Sequence, residues 1–194
     1  LVIIIAIVFQ PELRNIFTRI GQGEWFKFSS RSKSYHFDSI LNAVEILAGA
    51  RRGSLIVFPR KVGIKNIIDT GTRLNAELSS RLILTVFGHD TPLHDGAMIV
   101  QSGRILAAAC FLPLSEQADI RRSFGTRHRA ALGLAEATDA VVLIVSEESG
   151  AVSLAYNANL FYDLSIDETR RTLKNLFEIS EEAAPEAEEA GFEG

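Results

Sequence analysis

Residues 97–111 read AMIVQSGRILAAACF, and this stretch decides the fold. Its apolar segments Ala97–Val100 and Arg104–Phe111 lie on either side of Gln101-Ser102-Gly103. Two apolar runs separated by a short segment with glycine and serine are typical of a β-hairpin. The sequence therefore predicts a pair of antiparallel strands here.

Further strands are predicted on both sides of this hairpin. Val141–Val145 and Val152–Tyr156 are apolar and are separated by Glu148-Ser149-Gly150, so they form a second predicted hairpin. Ser54–Phe58 is a short apolar run between glycine and proline, which indicates a buried strand. Another strand is predicted around Gly63–Ile68.

Apolar residues at helical spacing occupy the segments between these strands. The predicted helices run from Asp38 to Gly49, from about Asn75 to Phe87, from Arg129 to Thr138, and from about Ile166 to Phe177. Because helices alternate with hairpins, the predicted fold class is α/β, with a mixed, mainly antiparallel central sheet flanked by helices on both faces.

The composition describes an ordinary folded domain. The chain has 194 residues, and 47% of them are hydrophobic, which is enough for one substantial core. Its single cysteine, Cys110, excludes an intramolecular disulfide and any zinc site built from several cysteines. A reducing cytosol is therefore the expected environment.

Charge is distributed unevenly along the chain. The net charge is -4, but residues 178–194 carry seven acidic and no basic residues, which leaves residues 1–177 with 20 basic and 17 acidic residues. We expect 178–194 to form an acidic disordered tail. A body charge of +3 without a basic stripe does not indicate nucleic acid as a partner, whereas anionic small molecules remain compatible.

The N-terminal region begins with nine apolar residues, Leu1–Phe9. Nine residues are too few to cross a bilayer, which needs about 20. We interpret the run as the cut end of a membrane helix, with a buried N-terminal strand or helix as the alternative. A short helix from Pro11 to about Ile20 and a linker at 21–34 are expected to follow.

The first candidate site is HDTPLHDGA at residues 89–97. Asp95 stands at the entry to a predicted strand, where its hard oxygen ligands suit a divalent cation. Gly96 permits a tight turn in which the backbone approaches a ligand. A simple Asp-Gly turn with a capping aspartate is the alternative.

The second candidate is GTRHR at residues 125–129, at the start of a predicted helix. Thr126 is the expected N-cap, which places Arg127 and Arg129 in the first helical turn. Two cations beside the positive end of the helix dipole are unfavourable unless an anion binds there, so the pattern predicts a phosphate site. In the alternative, both arginines pair with surface carboxylates.

The third candidate is Ser146-Glu147-Glu148, at the C-terminal end of a predicted strand. Carboxylates at such a strand end can complete a metal site, although a polar hairpin loop explains the same residues. The sequence contains no P-loop, no complete dinucleotide fingerprint and no G-x-S-x-G motif. Phosphate binding here therefore has to use another arrangement.

Together these stretches resemble the diadenylate cyclase domain family. TPLHDGA at 91–97 and GTRHRAA at 125–131 resemble its Asp-Gly-Ala and Arg-His-Arg motifs. Three flanking segments resemble it in order and spacing: GSLIV at 53–57, FLPLS at 111–115 and VSEESG at 145–150. The likeness implies the α/β sheet fold of that family.

The resemblance also implies a domain organisation. It covers about residues 35–160, and FQPELR at 9–14 is similar to the segment after the last membrane helix in the CdaA type, the membrane-anchored members of the family. Residues 1–20 would then be the remnant and exit of a transmembrane helix, and 35–177 the catalytic domain. The implied location is the bacterial cell membrane with the catalytic domain in the cytoplasm, while the present chain would be soluble.

The implied reaction joins two ATP molecules into 3',5'-cyclic di-AMP and releases two pyrophosphates. It would need a divalent metal such as Mn²⁺, Mg²⁺ or Co²⁺. Asp95 would bind that metal and help to activate the ribose 3'-hydroxyl, and Gly96 would let the ribose approach. Thr126, Arg127 and Arg129 would hold the triphosphate.

Other implied roles belong to neighbouring residues. The main chain of Leu112 would contact adenine, Ser146 and Glu148 would face the phosphates and the metal, and His94 is a further metal ligand. The implied catalytic residues are Asp95, Gly96, Arg127, His128 and Arg129; the ATP-binding residues are Gly96, Ala97, Leu112, Gly125, Thr126, Arg127, Arg129, Ser146 and Glu148; the metal ligands are His94, Asp95 and Glu148.

The implied partners follow from the product. Because cyclic di-AMP needs two ATP molecules, two protomers are expected to face each other as a homodimer. The family further implies a membrane-anchored regulatory protein and phosphoglucosamine mutase as partners. Two rival functions stay open: a metal-dependent phosphohydrolase that uses the His-Asp pairs, and a nucleotide sensor without catalysis.

Overall fold

The computed structural model describes residues 37–117 and 124–182, which form seven strands and five helices. The strands are β1 (Ser54–Phe58), β2 (Thr72–Glu77), β3 (Ala97–Gln101), β4 (Arg104–Cys110), β5 (Val141–Val145), β6 (Val152–Tyr156) and β7 (Asn159–Phe161). The helices are α1 (Phe37–Gly49), α2 (Lys65–Ile68), α3 (Ser80–Val86), α4 (Thr126–Ala137) and α5 (Ile166–Glu182).

All seven strands belong to one sheet with the order β2-β4-β3-β1-β5-β6-β7. Its neighbouring strands are antiparallel except β1 and β3, which run parallel with Ile56 opposite Met98. The predicted fold class, a mixed and mainly antiparallel sheet, is therefore confirmed.

Alternation along the central strands divides the core into two layers. Ile56 and Phe58 face the layer formed with α1, α3 and α5, whereas Leu55 and Val57 face the layer formed with α4 and the segment around α2. Side chains of successive strand residues point to opposite faces, so a strand buried on both faces is apolar throughout. Each fully buried side chain of this kind contributes about 1.5–3 kcal/mol.

An aromatic cluster joins the first and last helices to the sheet. The ring centroids of Phe37 and Phe177 lie 5.6 Å apart, and each lies 6.0 Å from the ring of Phe58. Edge-on and tilted aromatic pairs at these distances add stability beyond the buried area alone. The contacts explain why α1 and α5, distant in sequence, cover the same face of the sheet.

The predicted helix at 38–49 and both predicted hairpins are confirmed. In the first hairpin, Gln101 pairs with Arg104, and in the second, Val145 pairs with Val152. The buried strand predicted at Ser54–Phe58 is also present.

Two predictions for the segment between β1 and β3 are wrong. Gly63–Ile68 is not a strand but leads into the short helix α2, because Ile64 and Ile67 enter the core three residues apart. The predicted helix at 75–87 is two elements: the edge strand β2, which bulges between Arg73 and Ala76, and then α3. Ser79 caps α3 by accepting a hydrogen bond from the Leu82 amide at 3.3 Å.

The last helix begins as predicted and is longer than predicted. The Ser165 hydroxyl accepts from the Glu168 amide at 3.2 Å, while the Glu168 carboxylate accepts from the Ser165 amide at 2.9 Å. This reciprocal capping box fixes the start of α5, and its hydrogen bonds lower the pKa of Glu168. The helix continues to Glu182, so the prediction of a disordered tail is wrong for residues 178–182. Strand β7 was not predicted.

Several predicted segments lie outside the described residues. They are the membrane-helix remnant at 1–20, the linker at 21–34, and the part of the predicted 178–194 tail from residue 183 onward. Within 37–117 and 124–182, no helix combines the length and the apolar character that a membrane span requires.

Candidate active site

All three candidate motifs come to one end of the central sheet. Ser54 at the start of β1 pairs with Val145 at the end of β5, and Ala97 at the start of β3 pairs with Cys110 at the end of β4. The parallel register of β1 and β3, with Ile56 opposite Met98, places the starts of these two strands side by side. The Asp95 turn, the segment after β4 and the loop after β5 therefore share this edge.

Arg127 in the first turn of α4 reaches this edge and packs on Gly53. A Cβ atom on Gly53 would lie 2.6 Å from Arg127 Nη1 and 2.7 Å from Cζ, so only glycine leaves room for the guanidinium in this position. The same nitrogen donates a hydrogen bond to the carboxylate of Glu147. Arg127 is only 20% exposed, whereas Glu147 is 60% exposed, so the arginine is the fixed partner of this pair.

The N-terminus of α4 has no side-chain cap. Gly125 occupies the N-cap position with extended backbone, and Thr126 is already the first helical residue. The prediction of Thr126 as N-cap is therefore wrong, because the glycine before it takes the non-helical conformation that the cap requires. The first amides of α4 are consequently left to bind an external acceptor.

Arg129, in the first turn of α4, also indicates a site for an anion at the start of this helix. In the part of the chain that the structure describes, its Nε is buried and has no hydrogen-bond partner. A buried guanidinium nitrogen without an acceptor is costly, and an anionic ligand would supply the acceptor. The alternative interpretation, in which both arginines pair with surface carboxylates, is therefore confirmed for Arg127, which pairs with Glu147, and not for Arg129 among the described residues.

His128 lies between the two arginines in sequence but points into the protein. It is 5% exposed, and its ring centroid lies 5.1 Å from Phe124 and 5.8 Å from Tyr162. Its Nε2 is 3.5 Å from the Ser153 hydroxyl. Burial lowers the pKa of His128, an effect that the nearby Glu148 charge partly opposes. The neutral ring therefore anchors the start of α4 to β6.

The loop after β5 forms the opposite wall. The Ser146 hydroxyl accepts hydrogen bonds from the amides of Glu148 and Ser149, each at 3.3 Å, which closes a tight polar turn. Glu148 is exposed, and its carboxylate lies close to Gly125, since a Cβ atom there would be 3.9 Å from Glu148 Oε1. The turn thus holds a carboxylate beside the open start of α4.

A cleft of about 310 Å³ lies between these walls. It is lined by Phe124, Gly125, Thr126, Arg127, His128, Ser146, Glu147, Glu148, Ser149 and Tyr162. The lining combines an arginine, free helix amides and hydroxyl groups with aromatic rings and the carboxylates of Glu147 and Glu148. The donors suit a phosphorylated ligand, and a carboxylate beside them can share a cation with it.

Asp95 does not line this cleft, although it belongs to the same sheet edge. Its side chain is exposed at the turn before β3. The next residue, Gly96, has φ +129, and a Cβ atom there would lie 2.8 Å from the Ala109 carbonyl carbon. The structure therefore explains this glycine by its close packing against β4 as well as by its backbone conformation.

The remaining predicted residues flank the Asp95 turn. His94 Nδ1 lies 2.5 Å from the Thr91 carbonyl oxygen, which holds the ring against its own turn. Ala97 is fully buried, so its side chain is not accessible to a ligand. Leu112 follows β4 and packs partly against the α2–α4 layer.

Four lining residues were not predicted as site residues. Glu147 had been noted among the carboxylates of the third candidate, and Ser149 only within a turn and a flanking segment. Gly53, which packs on Arg127 but does not line the cleft, had been noted as the start of a strand. Phe124 and Tyr162 carry no motif, because their contribution depends on ring contacts 5.2 Å apart across the fold. No local sequence pattern reports such contacts.

The predicted metal ligands do not form a ready-made cage. In 37–117 and 124–182, no three His, Cys, Asp or Glu side chains lie close enough together to hold a metal ion. Without such a cluster, the exposed carboxylate of Asp95 still offers a hard-oxygen ligand at the sheet edge. Mg²⁺ and ions like it bind through one or two carboxylates with substrate phosphates and water, so this donor set fits such an ion.

Fold and site together define an α/β domain in which an uncapped helix start, arginines and hydroxyl groups meet at one sheet edge. The family model described as "DisA bacterial checkpoint controller nucleotide-binding" matches residues 41–160. The chain therefore belongs to this family of diadenylate cyclase, or DAC, domains.

Individual relatives agree with the family match. The chain is 43% identical to the cyclic di-AMP synthase CdaA of Bacillus subtilis over 90% of this chain and 64% of that protein. It is 36% identical to the diadenylate cyclase of Mycoplasma genitalium, over 68% of each protein. The crystal structure of a double mutant of DacA from Staphylococcus aureus superposes with a TM-score of 0.71 at 42% identity, covering 72% of this chain and 93% of that chain.

The chain spans a little less than two thirds of the length of the first of these relatives, 64% in the case of the Bacillus subtilis protein. The family membership and the shared fold are thus shown for the described domain.

Proposed function

We propose that the chain is a diadenylate cyclase that condenses two ATP molecules into cyclic di-AMP and two pyrophosphates. The observation that carries the proposal is the meeting of the Asp95 turn, the Leu112 segment and the start of α4 at one sheet edge. Membership of the DAC family and relatives described as diadenylate cyclases support the same activity.

The start of α4 binds the triphosphate. The uncapped amides after Gly125, the hydroxyl of Thr126 and the side chains of Arg127 and Arg129 supply donors and positive charge. Phosphate oxygens accept bidentate hydrogen bonds from guanidinium groups, which orient the substrate as well as hold it. Glu147 pairs with Arg127 in the absence of a ligand, and the phosphates would replace its carboxylate as the partner of the guanidinium.

The Asp95 turn provides the reacting end of the site. A divalent ion bound there would neutralise phosphate charge and favour ionisation of the ribose 3'-hydroxyl. Asp95 would hold it together with substrate phosphates and water. Glu148 and His94, the other ligands that the resemblance implies, do not gather with Asp95 into a three-ligand cluster in the described ranges. Because Gly96 has no side chain, the turn packs closely against β4 and leaves room for the ribose beside the Asp95 carboxylate.

The other site residues position the substrate. The main chain of Leu112 contacts adenine, and Ser146 and Glu148 face the phosphates from the turn after β5. We assign His128 to positioning rather than to direct contact, because its buried ring holds the start of α4 in place.

Product identification tests the proposed function. The protein is incubated with ATP and Mn²⁺, and the nucleotides are identified by mass. We expect cyclic di-AMP with two pyrophosphates per molecule. ADP or AMP with free phosphate would instead show a phosphohydrolase, and unchanged ATP would show binding without catalysis.

The two-fold symmetry of cyclic di-AMP supports a face-to-face homodimer as the active form. One copy of the Asp95 turn and one α4 start position one ATP, so two protomers have to bring their nucleotides together. We expect activity per subunit to fall on dilution as light scattering reports dissociation. Undiminished activity in a monomeric sample would contradict this.

A membrane anchor is part of the same proposal. A structural relative from Bacillus cereus, with a TM-score of 0.64 and 41% identity, is described as a hypothetical membrane-spanning protein. The apolar run Leu1–Phe9 is consistent with such an anchor, with the catalytic domain on the cytoplasmic side. The regulatory protein and the mutase that the family implies remain proposed partners.

No observation favours the rival functions. A phosphohydrolase needs several metal ligands in one cluster, and the described ranges bring no three together. A sensor without catalysis is expected to lack Asp95 or the arginines, and all are present.

A further inference from the structure

The segment 111–117, FLPLSEQ, lies directly on helix α4. Gly133 is the point of closest approach: a Cβ atom there would be 2.3 Å from the Pro113 carbonyl oxygen and 2.7 Å from the Ser115 amide nitrogen. The Ser115 amide donates to the carbonyl oxygen of Arg129 at 3.0 Å. This segment and the helix are thus in backbone contact along more than one turn.

A polar clasp of Glu136, Ser115 and Gln117 fastens the end of the segment. Glu136 Oε1 accepts a hydrogen bond from the Ser115 hydroxyl at 2.8 Å and another from the Gln117 side-chain amide at 2.6 Å. Ser115 is fully buried, and its oxygen also accepts from the Gln117 main-chain amide at 3.3 Å. A single carboxylate oxygen of Glu136 therefore accepts hydrogen bonds from both side chains.

The start of the segment is fastened elsewhere. The Phe111 amide donates to the hydroxyl of Thr70 at 3.0 Å, next to α2. Leu112 lies between this bond and the clasp. Its main chain is consequently held by contacts at both ends. The clasp adds a side-chain link to α4 beside the backbone hydrogen bond from Ser115 to Arg129.

We propose that Glu136 is a positioning residue for substrate binding. Through Ser115 and Gln117 it sets the distance between the main chain of Leu112 and the first turn of α4. The inference rests on the proposed function, in which Leu112 contacts adenine and the α4 start binds the triphosphate. A nucleotide has to satisfy both places at once, so their spacing decides how well it binds.

The physical reason is the low tolerance of buried polar groups for a missing partner. Removal of the Glu136 carboxylate leaves the buried Ser115 hydroxyl and the Gln117 amide without their common acceptor. The segment then loses its side-chain link to α4 and keeps only the backbone hydrogen bond from Ser115 to Arg129, while the phosphate site keeps Arg127 and the helix amides. Binding of the base should suffer, and binding of phosphate alone should not.

The test compares three variants by titration calorimetry with two probes in the presence of Mn²⁺. The variants are Glu136→Ala, the conservative Glu136→Gln, which keeps an acceptor oxygen, and Glu45→Ala, which removes an exposed glutamate from α1. The probes are 3'-deoxy-ATP, which cannot react, and inorganic tripolyphosphate, which has no base. Thermal melting reports folding of each variant.

We expect Glu136→Ala to weaken binding of 3'-deoxy-ATP about tenfold, which corresponds to ~1.4 kcal/mol. Tripolyphosphate should bind all variants equally, and Glu136→Gln should recover most of the affinity. Should Glu136→Ala fold poorly, Gln117→Ala removes one arm of the clasp at an exposed position and should weaken only the nucleotide.

Two results would overturn the inference: unchanged affinity of a folded Glu136→Ala for 3'-deoxy-ATP, or equal weakening of both probes. If the unmodified protein binds tripolyphosphate but gains nothing from the adenosine of 3'-deoxy-ATP, the assignment of Leu112 to adenine is wrong and the clasp inference is wrong with it. If it binds neither probe, the proposed function itself is wrong.

Discussion

Replacement of Gly53 by alanine tests whether Arg127 is held in a fixed position for the phosphates. The new Cβ atom would lie 2.6 Å from Nη1 and 2.7 Å from Cζ of Arg127, and ordinary van der Waals contact begins at 3.4 Å. The guanidinium therefore has to move by several tenths of an ångström. Because the flexible arginine rather than the backbone gives way, the fold should survive.

The expected magnitude follows from the geometry of the lost contact. A hydrogen bond to a charged group contributes about 1.5–3 kcal/mol, and a displaced Arg127 guanidinium loses part of this free energy. We expect kcat/KM for ATP to fall about tenfold, equivalent to ~1.4 kcal/mol. The free energy of unfolding should change by less than about 1 kcal/mol.

The control is Gly49→Ala at the end of α1, where an added Cβ atom has no neighbour within 4 Å. Steady-state formation of cyclic di-AMP is measured for both variants and for the unmodified protein. Gly49→Ala should match the unmodified protein. An unchanged kcat/KM in a folded Gly53→Ala protein would refute the reasoning, because Arg127 would not need its present position.

Three further predictions concern pH, thiol chemistry and backbone conformation. Burial lowers the pKa of His128 below 6.5, so the contribution of the neutral ring to stability is complete above pH 6.5 and is lost as pH falls from there through the lowered pKa of the folded protein. Between pH 7.5 and pH 5, the free energy of unfolding in urea should fall less in His128→Phe than in the unmodified protein, and an equal fall would contradict a buried neutral ring. Burial raises the pKa of the Cys110 thiol to about 11, so iodoacetamide at pH 8 should alkylate this thiol only after the protein is unfolded in urea. Mass spectrometry detects the alkylation, and rapid reaction of the folded protein would contradict the prediction. Gly96→Ala should destabilise the fold by about 2 kcal/mol or more in urea, since it combines φ +129 with a 2.8 Å contact to β4; stability equal to that of Gly49→Ala would show that the turn relaxes freely.

Strong local patterns made the central sheet predictable. The hairpin at 97–110 and the run Val141–Val145 are apolar and are bounded by turn residues, so their sequence and their environment agree. The edge strand β2 is different, because only alternate positions are partly buried and its bulge at Arg73–Ala76 interrupts the pattern. Its conformation comes from pairing with β4, which no local signal reports.

The candidate site was predictable as separate motifs but not as an arrangement. Asp95, Arg127 and Arg129 were found from their residue types and their place near element ends. Their common location depends on the strand order, which places β1 between β3 and β5. The contact of Arg127 with Gly53 joins residues 74 positions apart in sequence, so it was visible only in the folded chain.

Asp95→Asn tests the central claim most directly, because the amide keeps the shape of the side chain and loses the charge that suits a divalent ion. The measurement is the simultaneous yield of cyclic di-AMP and pyrophosphate from ATP and Mn²⁺ in the variant and the unmodified protein. We predict one cyclic di-AMP per two pyrophosphates from the unmodified protein. The folded variant should yield neither above background. Near-normal yields of both from Asp95→Asn would contradict the assignment of this sheet edge as the place where the two nucleotides are joined.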